Sequence, residues 1–360
     1  MDKYATILAG GGGTRFWPLS RQEIPKQLLN ISGNDIMLND TIERFKGIIP
    51  QENTVIVTNR TQAVLLESIM HSSVQKSNIL IEPVARNTSA SILFAAFSIQ
   101  QMSEGDSLMV VLPSDHYITD EPQFRLTLDE ACTVAMESDA IVTIGIKPTF
   151  PSTGYGYIAY DKEPIAVKPV AVYDVAEFVE KPDFKKAQGY LASGNYLWNS
   201  GIFIWKTSVI IDNFKRYLPR LYNTMLPIRD ALGTDQEQET LNRIYPLLQN
   251  ISIDYGILER SDEVVVLSGQ FGWNDIGSWD ALGAIFPPDD EGNIIKANHV
   301  GIDTRNSIIY GNGRLITTIG VDGFIIADTG DAVMICPKDK AQSVKDIVDL
   351  LKEKGMLEYV

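Results

Sequence analysis

Four consecutive glycines, Gly10, Gly11, Gly12 and Gly13, follow a short apolar run and precede Thr14, Arg15 and, further on, Lys26. Glycine tolerates left-handed backbone and carries no Cβ, so such a turn can bring its N–H groups close to an anion. Spacing decides which anion. A dinucleotide-binding fingerprint needs glycine at its first, third and sixth positions. Counted from Gly10 the sixth position is Arg15, and from Gly11 it is Phe16. A Walker loop ends in Gly-Lys-Ser/Thr, whereas Thr14 and Arg15 follow the last glycine here. Both common cradles fail. What remains is a glycine-rich turn, read either as a clamp whose backbone N–H groups face a phosphate chain with Arg15 and Lys26 supplying positive charge, or as a flexible βα turn with incidental surface cations; Gly-Thr-Arg with Pro25-Lys26 favours the clamp.

No other stretch offers a nucleophile with its base. The chain has three histidines, and only His116, beside Asp115, invites a catalytic reading. We read it as structural. Cys132 and Cys336 are far apart and lack metal-ligand spacing, which argues for a reducing compartment and against a disulfide framework.

The elements that must carry these residues alternate. Apolar runs at 4–9, 54–58, 78–81, 108–112 and 140–146 read as strands, and 40–49, 62–70, 87–102 and 122–138 read as helices. The third helix is the clearest, with Asn87 or Thr88 as its cap and Ile92, Leu93, Ala96 and Phe97 at helical period. Strand–helix alternation predicts an α/β, Rossmann-like, mostly parallel sheet flanked by helices, with ligands at the carboxyl ends of its strands. From about Gly154 to Lys206 the pattern turns β-rich, with strands at 172–179 and 201–205. Helices are expected over 209–232 and 236–248. After residue 286 short β-like pieces at 307–310, 323–327 and 333–335 alternate with Gly, Asn and Asp, and a helix over 340–354 follows. This predicts two domains, 1–282 and a small β-rich domain with a terminal helix at 283–360. The β spacing is loosely hexapeptide-like, too irregular to prove a solenoid.

The 360 residues carry a formal net charge of −15 with 44% hydrophobic content. That sign disfavours nucleic acid and anionic membrane as partners. No apolar stretch approaches the length of a membrane span, and the N-terminus reads as a strand rather than a leader. The expected location is cytoplasmic.

The motifs taken together resemble a known family. "LAGGGGTRFWPLSRQEIPKQLL" (8–29) is similar to the N-terminal signature of sugar-1-phosphate nucleotidylyltransferases, and its Phe-Trp-Pro-Leu-Ser variant resembles the mannose-1-phosphate guanylyltransferases among them. In the family's order follow "EPVARNTSASI" (82–92), "VLPSDHYI" (111–118), "TGYGYI" (153–158) and "FVEKPD" (178–183). "YLWNSGIFIWK" (196–206), "SIDYGILER" (252–260) and "GWNDIGSWDAL" (272–282) complete the series. The resemblance covers about residues 4–282 strongly and the rest weakly.

The resemblance implies transfer of GMP from GTP to mannose 1-phosphate, giving GDP-mannose and pyrophosphate. The attacking phosphate oxygen is already ionised, so alignment and charge neutralisation replace a general base. Arg15 and Lys26 would hold the triphosphate, while Arg21 reads equally well as a solvated side chain. Lys181 would hold the sugar 1-phosphate. Asp115 and Asp275 would be the metal ligands, and two carboxylates with phosphate oxygens and water suit Mg²⁺, with Mn²⁺ as a substitute. Glu82 is a candidate for guanine or a structural ion pair, and Asn87 and Thr88 for nucleotide or helix capping. Gly154, Glu180 and Asn199 match sugar-binding positions; Asp254 does too, or caps the helix that follows it. Trp198, Trp205, Trp273 and Trp279 read as core or pocket wall. The resemblance further implies a homodimer, transferase activity without an isomerase domain, and a C-terminal short left-handed β-helix. Whether that β-helix packs on the catalytic domain or supports the dimer stays open.

Overall fold

The computed structural model describes residues 1–71, 73–167 and 169–360. Lys168, inside the expected β-rich span, lies outside them. Four strands, β1 (Lys3–Ala9), β2 (Thr54–Asn59), β3 (Ile79–Glu82) and β4 (Leu108–Pro113), alternate with α1 (Met37–Arg44), α2 (Arg60–Ile69) and α3 (Asn87–Met102). A parallel strand covered on both faces reads as a continuous apolar run, and β4 is buried along LMVVL. Helix α3 matches its expected bounds and is buried without a break from Ser89 to Ile99. Neither expected cap forms: the N-cap position is Arg86, which makes no capping bond, and Thr88 Oγ1 instead accepts from the Ile253 N–H at 2.9 Å.

The chain continues through β5 (Tyr117–Ile118), which stands apart from the main sheet, and β6 (Ile141–Ile146), with α4 (Glu121–Glu137) between them. Then come β7 (Tyr157–Tyr160), β8 (Ala166–Val167), β9 (Ala171–Val179), α5 (Phe184–Ser193) and β10 (Tyr196–Lys206). The single helix expected over 209–232 is two, α6 (Thr207–Tyr217) and α7 (Pro219–Ala231). Pro219 has no N–H to donate and drives Leu218 out of helical geometry, to φ −129° and ψ 51°. Helix α8 (Glu237–Ile244), β11 (Val264–Gly269) and β12 (Trp273–Asn274) complete this part, with β12 pairing β5.

The main sheet runs β3-β2-β1-β4-β10-β6-β11-β9-β7. The expected α/β class is what the chain adopts. Within it, parallel pairing is confined to β3-β2-β1-β4 and β6-β11, because β10 enters antiparallel between β4 and β6. Six strands, β1 to β4 with β6 and β11, therefore end on one edge. The start of β10 reaches that edge from the opposite direction, with an irregularity between Asn199 and Phe203.

In the C-terminal part β13 (Ile294–Ile302), β14 (Ile308–Ile319) and β15 (Phe324–Asp328) stack in parallel, β16 (Val333–Pro337) turns back, and α9 (Val344–Glu353) follows. Ile294, Ile308 and Ile325 lie in register and are buried at 6%, 1% and 0% exposure. They share one apolar cluster with Phe16, Trp17 and Trp279. Trp279 Nε1 donates to the Trp17 carbonyl at 3.0 Å, and Trp17 Nε1 donates to the Tyr359 carbonyl at 2.7 Å. Of the two arrangements left open for this segment, packing on the larger part is therefore present. Among the described residues no helix is long and apolar enough to cross a membrane.

Candidate active site

The carboxyl edge of the sheet carries two adjoining cavities, of about 480 and 350 Å³, which share His116 and Asp275 in their walls. The larger collects Gly10, Gly11, Glu82, Asn87, Thr88, Gly154, Glu180, Asn199 and Asp254. The smaller collects Gly13, Thr14, Arg15, Lys26, Asp115 and Asp275. Gly12 and Lys181 line neither. Lys181 Nζ stands 2.7 Å from Oε1 of Glu180, which lines the larger cavity. Residues from widely separated segments thus meet at one edge.

Of the four glycines, Gly13 alone is required by its neighbours. Its φ is 58°, and a Cβ there would stand 2.5 Å from the Lys26 Cβ. Lys26 is 4% exposed, and its Nζ donates to Asp115 Oδ2 at 2.9 Å and to the Asp275 main-chain carbonyl. Burial pushes the Asp115 carboxyl up, but the charge of Lys26, its hydrogen bond and the other neighbouring groups together outweigh burial and hold the carboxyl below its ordinary value. Asp275 behaves oppositely. Burial and the nearby Asp115 charge raise it, against the opposing hydrogen bond from Tyr155 OH to Oδ1 at 2.7 Å. Tyr155 stands against Trp198 and Trp273, which fixes its hydroxyl. Ile276, a β-branched residue, has φ 43°, an uncommon geometry held by its surroundings. Asn87 and Lys181 are left-handed as well, at φ 64° and 46°.

Asp115 and Asp275 line the same cavity, and their carboxylates are hard oxygen donors of the kind that fits Mg²⁺. No group of three or more His, Cys, Asp or Glu among the described residues could hold a metal by itself. The fit therefore needs substrate oxygens and water.

His116 is held by burial far below its ordinary value, at about 4, and is neutral at neutral pH. Its Nδ1 accepts from Trp273 Nε1 at 3.1 Å and its carbonyl accepts from Arg44 at 2.7 Å. These contacts agree with a structural role. Glu82 is 5% exposed; burial raises its carboxyl, and Oε1 accepts from Ser91 at 2.7 Å and from Tyr245. It forms no ion pair with a described residue, so that alternative reading lapses. Arg21 leaves the site altogether, bonding Pro18 and pairing with Asp331 at 3.0 Å.

Asn199 Nδ2 donates to Asp254 Oδ1 at 3.0 Å while its Oδ1 accepts from the Gly201 N–H. Asp254 begins the helical turn Asp254–Leu258 rather than capping it from outside. Burial, and then the Glu180 charge, push Asp254 up to about 6. Between its unfolded value of 3.8 and that folded value, the folded chain holds a proton the unfolded chain has released. Stability therefore falls as pH rises through this window. Asp254→Asn keeps an acceptor for Asn199 and removes the charge. It is expected to raise the thermal midpoint at about pH 7.5 by the equivalent of about 1–2 kcal/mol, with no gain below about pH 4. Equal midpoints at both pH values would refute the reading of Asp254.

Sequence reasoning overlooked three participants. Tyr155 lies inside "TGYGYI", yet nothing local assigns its hydroxyl to Asp275. Tyr245, bonded to Glu82, and Lys345, in the wall of the smaller cavity, come from segments with no site signal at all.

Comparisons with known proteins show the family. The nucleotidyl transferase family matches residues 4–291, and the mannose-phosphate isomerase/GMP-like β-helix domain matches residues 297–351. The alginate biosynthesis protein AlgA of Pseudomonas putida is 37% identical over 98% of this chain and 72% of its own length. The mannose-1-phosphate guanylyltransferase of Escherichia coli K12 is 36% identical over 99% of this chain and 75% of its own. A crystal structure from Thermus thermophilus, named a "mannose-1-phosphate geranyltransferase", superposes with a TM-score of 0.86 at 33% identity, covering 98% of this chain and all of that one.

Proposed function

We propose that this chain, which belongs to the nucleotidyl transferase family, transfers GMP from GTP to α-D-mannose 1-phosphate and releases pyrophosphate. The observation that carries the reading is the pair of adjoining cavities sharing Asp275. One has room and polar groups for a nucleoside and a sugar; the other concentrates cations in an acidic chain. The activity in the name of the Escherichia coli relative supports the choice of substrates.

In this reading Gly10–Thr14 meet the phosphate chain with backbone N–H groups, and Arg15 and Lys26 neutralise it. Asp115 and Asp275 would hold Mg²⁺, or Mn²⁺ in its place, which when bound supplies Lewis-acid charge neutralisation at the phosphates. Lys181 holds the phosphate of the sugar, beside Glu180, so that one of its oxygens faces the α-phosphorus. Glu180, Asn199, Asp254 and the Gly154 backbone take the hydroxyls. Glu82 accepts from the guanine edge, beside Asn87 and Thr88. As the sugar-phosphate oxygen bonds to the α-phosphorus, the bond to the bridging oxygen of pyrophosphate breaks and its electron pair leaves with pyrophosphate. No general base is needed, in agreement with a His116 that burial makes too weakly basic to serve as one. The division at 282/283, a homodimer and a cytoplasmic location belong to the same proposal.

The test offers GTP, ATP and dTTP against mannose, glucose and other hexose 1-phosphates with Mg²⁺, scored by pyrophosphate release. GTP with mannose 1-phosphate is expected to give the highest kcat/KM. Faster turnover of any other pair would overturn the assignment.

A further inference from the structure

The cavity that holds Arg15, Lys26, Asp115 and Asp275 has one more cation in its wall, from the far end of the chain. Lys345, in the first turn of α9, lines the same 350 Å³ space. Its side chain is exposed and pairs with no described residue. The other cations differ. Lys26 is already engaged by Asp115 and the Asp275 carbonyl. Arg15 and Lys345 are thus the cations left in this wall to meet an incoming anion.

Position argues against an incidental surface lysine. Val344 and Val348, on either side of it along α9, are 2% and 3% exposed and pack in the cluster with Phe16 and Trp279. Gln342 Nε2 donates to Ser278 Oγ at 2.7 Å, on the loop that also carries Asp275. The Arg21–Asp331 ion pair, at 3.0 Å, joins the same two parts of the chain. α9 is therefore fixed against the turn that carries Arg15 and against the loop that carries Asp275. Lysine serves phosphate as a compact charge on a flexible stem, needing approximate placement rather than a rigid fork.

We propose that Lys345 binds the β- and γ-phosphates of the donor nucleotide, so that the C-terminal β domain completes the phosphate site. The inference rests on the nucleotidyl-transfer reading above. Lys345 would stabilise the pyrophosphate that carries away the electron pair of the broken α-phosphorus–oxygen bond, and would do nothing for the sugar.

The test uses the full chain carrying Lys345→Ala, Lys345→Glu or Lys345→Arg. KM for GTP and the Kd for inorganic pyrophosphate, measured by calorimetry with Mg²⁺, are expected to rise about five- to ten-fold in Lys345→Ala. They should rise further in Lys345→Glu and return near wild type in Lys345→Arg. KM for mannose 1-phosphate and the thermal midpoint should stay put. GTP and pyrophosphate affinities unchanged in both Lys345→Ala and Lys345→Glu would overturn the proposal. A wild-type chain that does not turn over GTP would sink the functional reading instead, while the pyrophosphate titration would still report on Lys345.

Discussion

Asp275→Asn is expected to lower kcat/KM about 10³-fold while leaving the protein folded and no less stable. The two halves of this result have one cause. The Asp275 carboxylate is raised by burial and by the charge of Asp115, against the Tyr155 hydroxyl, the Lys26 charge and the Gly277 N–H. Burial still outweighs these contacts and leaves the charged form unfavourable, and the asparagine amide removes that charge. It also removes the negative oxygen that the proposed Mg²⁺ site requires. Urea or thermal unfolding together with pyrophosphate release checks both halves. Near wild-type turnover would contradict the metal assignment, and a collapsed melting point would mean that the activity loss is only structural. Asp115→Asn should lose activity to a similar extent but gain no stability, because its carboxylate is already paired with Lys26.

Lys26→Met is expected to lose about 10²–10³-fold in kcat/KM and, unlike Asp275→Asn, to lose stability as well. Lys26 is 5% exposed at its side chain, whereas Asp115 is 36% exposed. Removing the lysine leaves two neighbouring carboxylates facing one cavity. Because Asp115 keeps contact with solvent, the stability cost should be about 1–2 kcal/mol rather than the value for a fully buried pair. Lys26→Met with Asp115→Asn should recover the stability and none of the activity, a separation measurable by unfolding and turnover on the same samples. Lys26→Arg should not rescue turnover, since one compact ammonium meets both Asp115 Oδ2 and the Asp275 carbonyl, a placement that a longer planar guanidinium does not reproduce. Full activity in Lys26→Arg would show that a compact point charge is not required at this position.

Much of the fold could be read along the chain because parallel strands buried on both faces write themselves as unbroken apolar runs. β1, β2 and β4 lie within a residue of where their runs place them, and α3 matches at both ends. The boundary errors occur where tertiary packing overrides the local signal. α1 starts at Met37 instead of residue 40 because Met37 and Leu38 are drawn into separate apolar clusters. The helix expected over 209–232 was readable as broken, at Pro219, and the apolar periodicity hid it.

The type of chemistry was legible in the chain alone. The failed glycine spacing excluded two phosphate cradles, and the motifs' resemblance to a known family implied charge neutralisation without a base by Arg15, Lys26, Asp115 and Asp275. Which of these groups face one another was left to the packing of the whole molecule. Lys26 and Asp115 are 89 residues apart, Tyr155 and Asp275 are 120 apart, and Lys345 reaches the wall of their cavity from the last α-helix. Local periodicity reports which side of an element is buried, but not which distant strand ends share an edge. That is set by the strand order and by the cluster that fastens α9 to Phe16 and Trp279, which no stretch of sequence shorter than the whole chain contains.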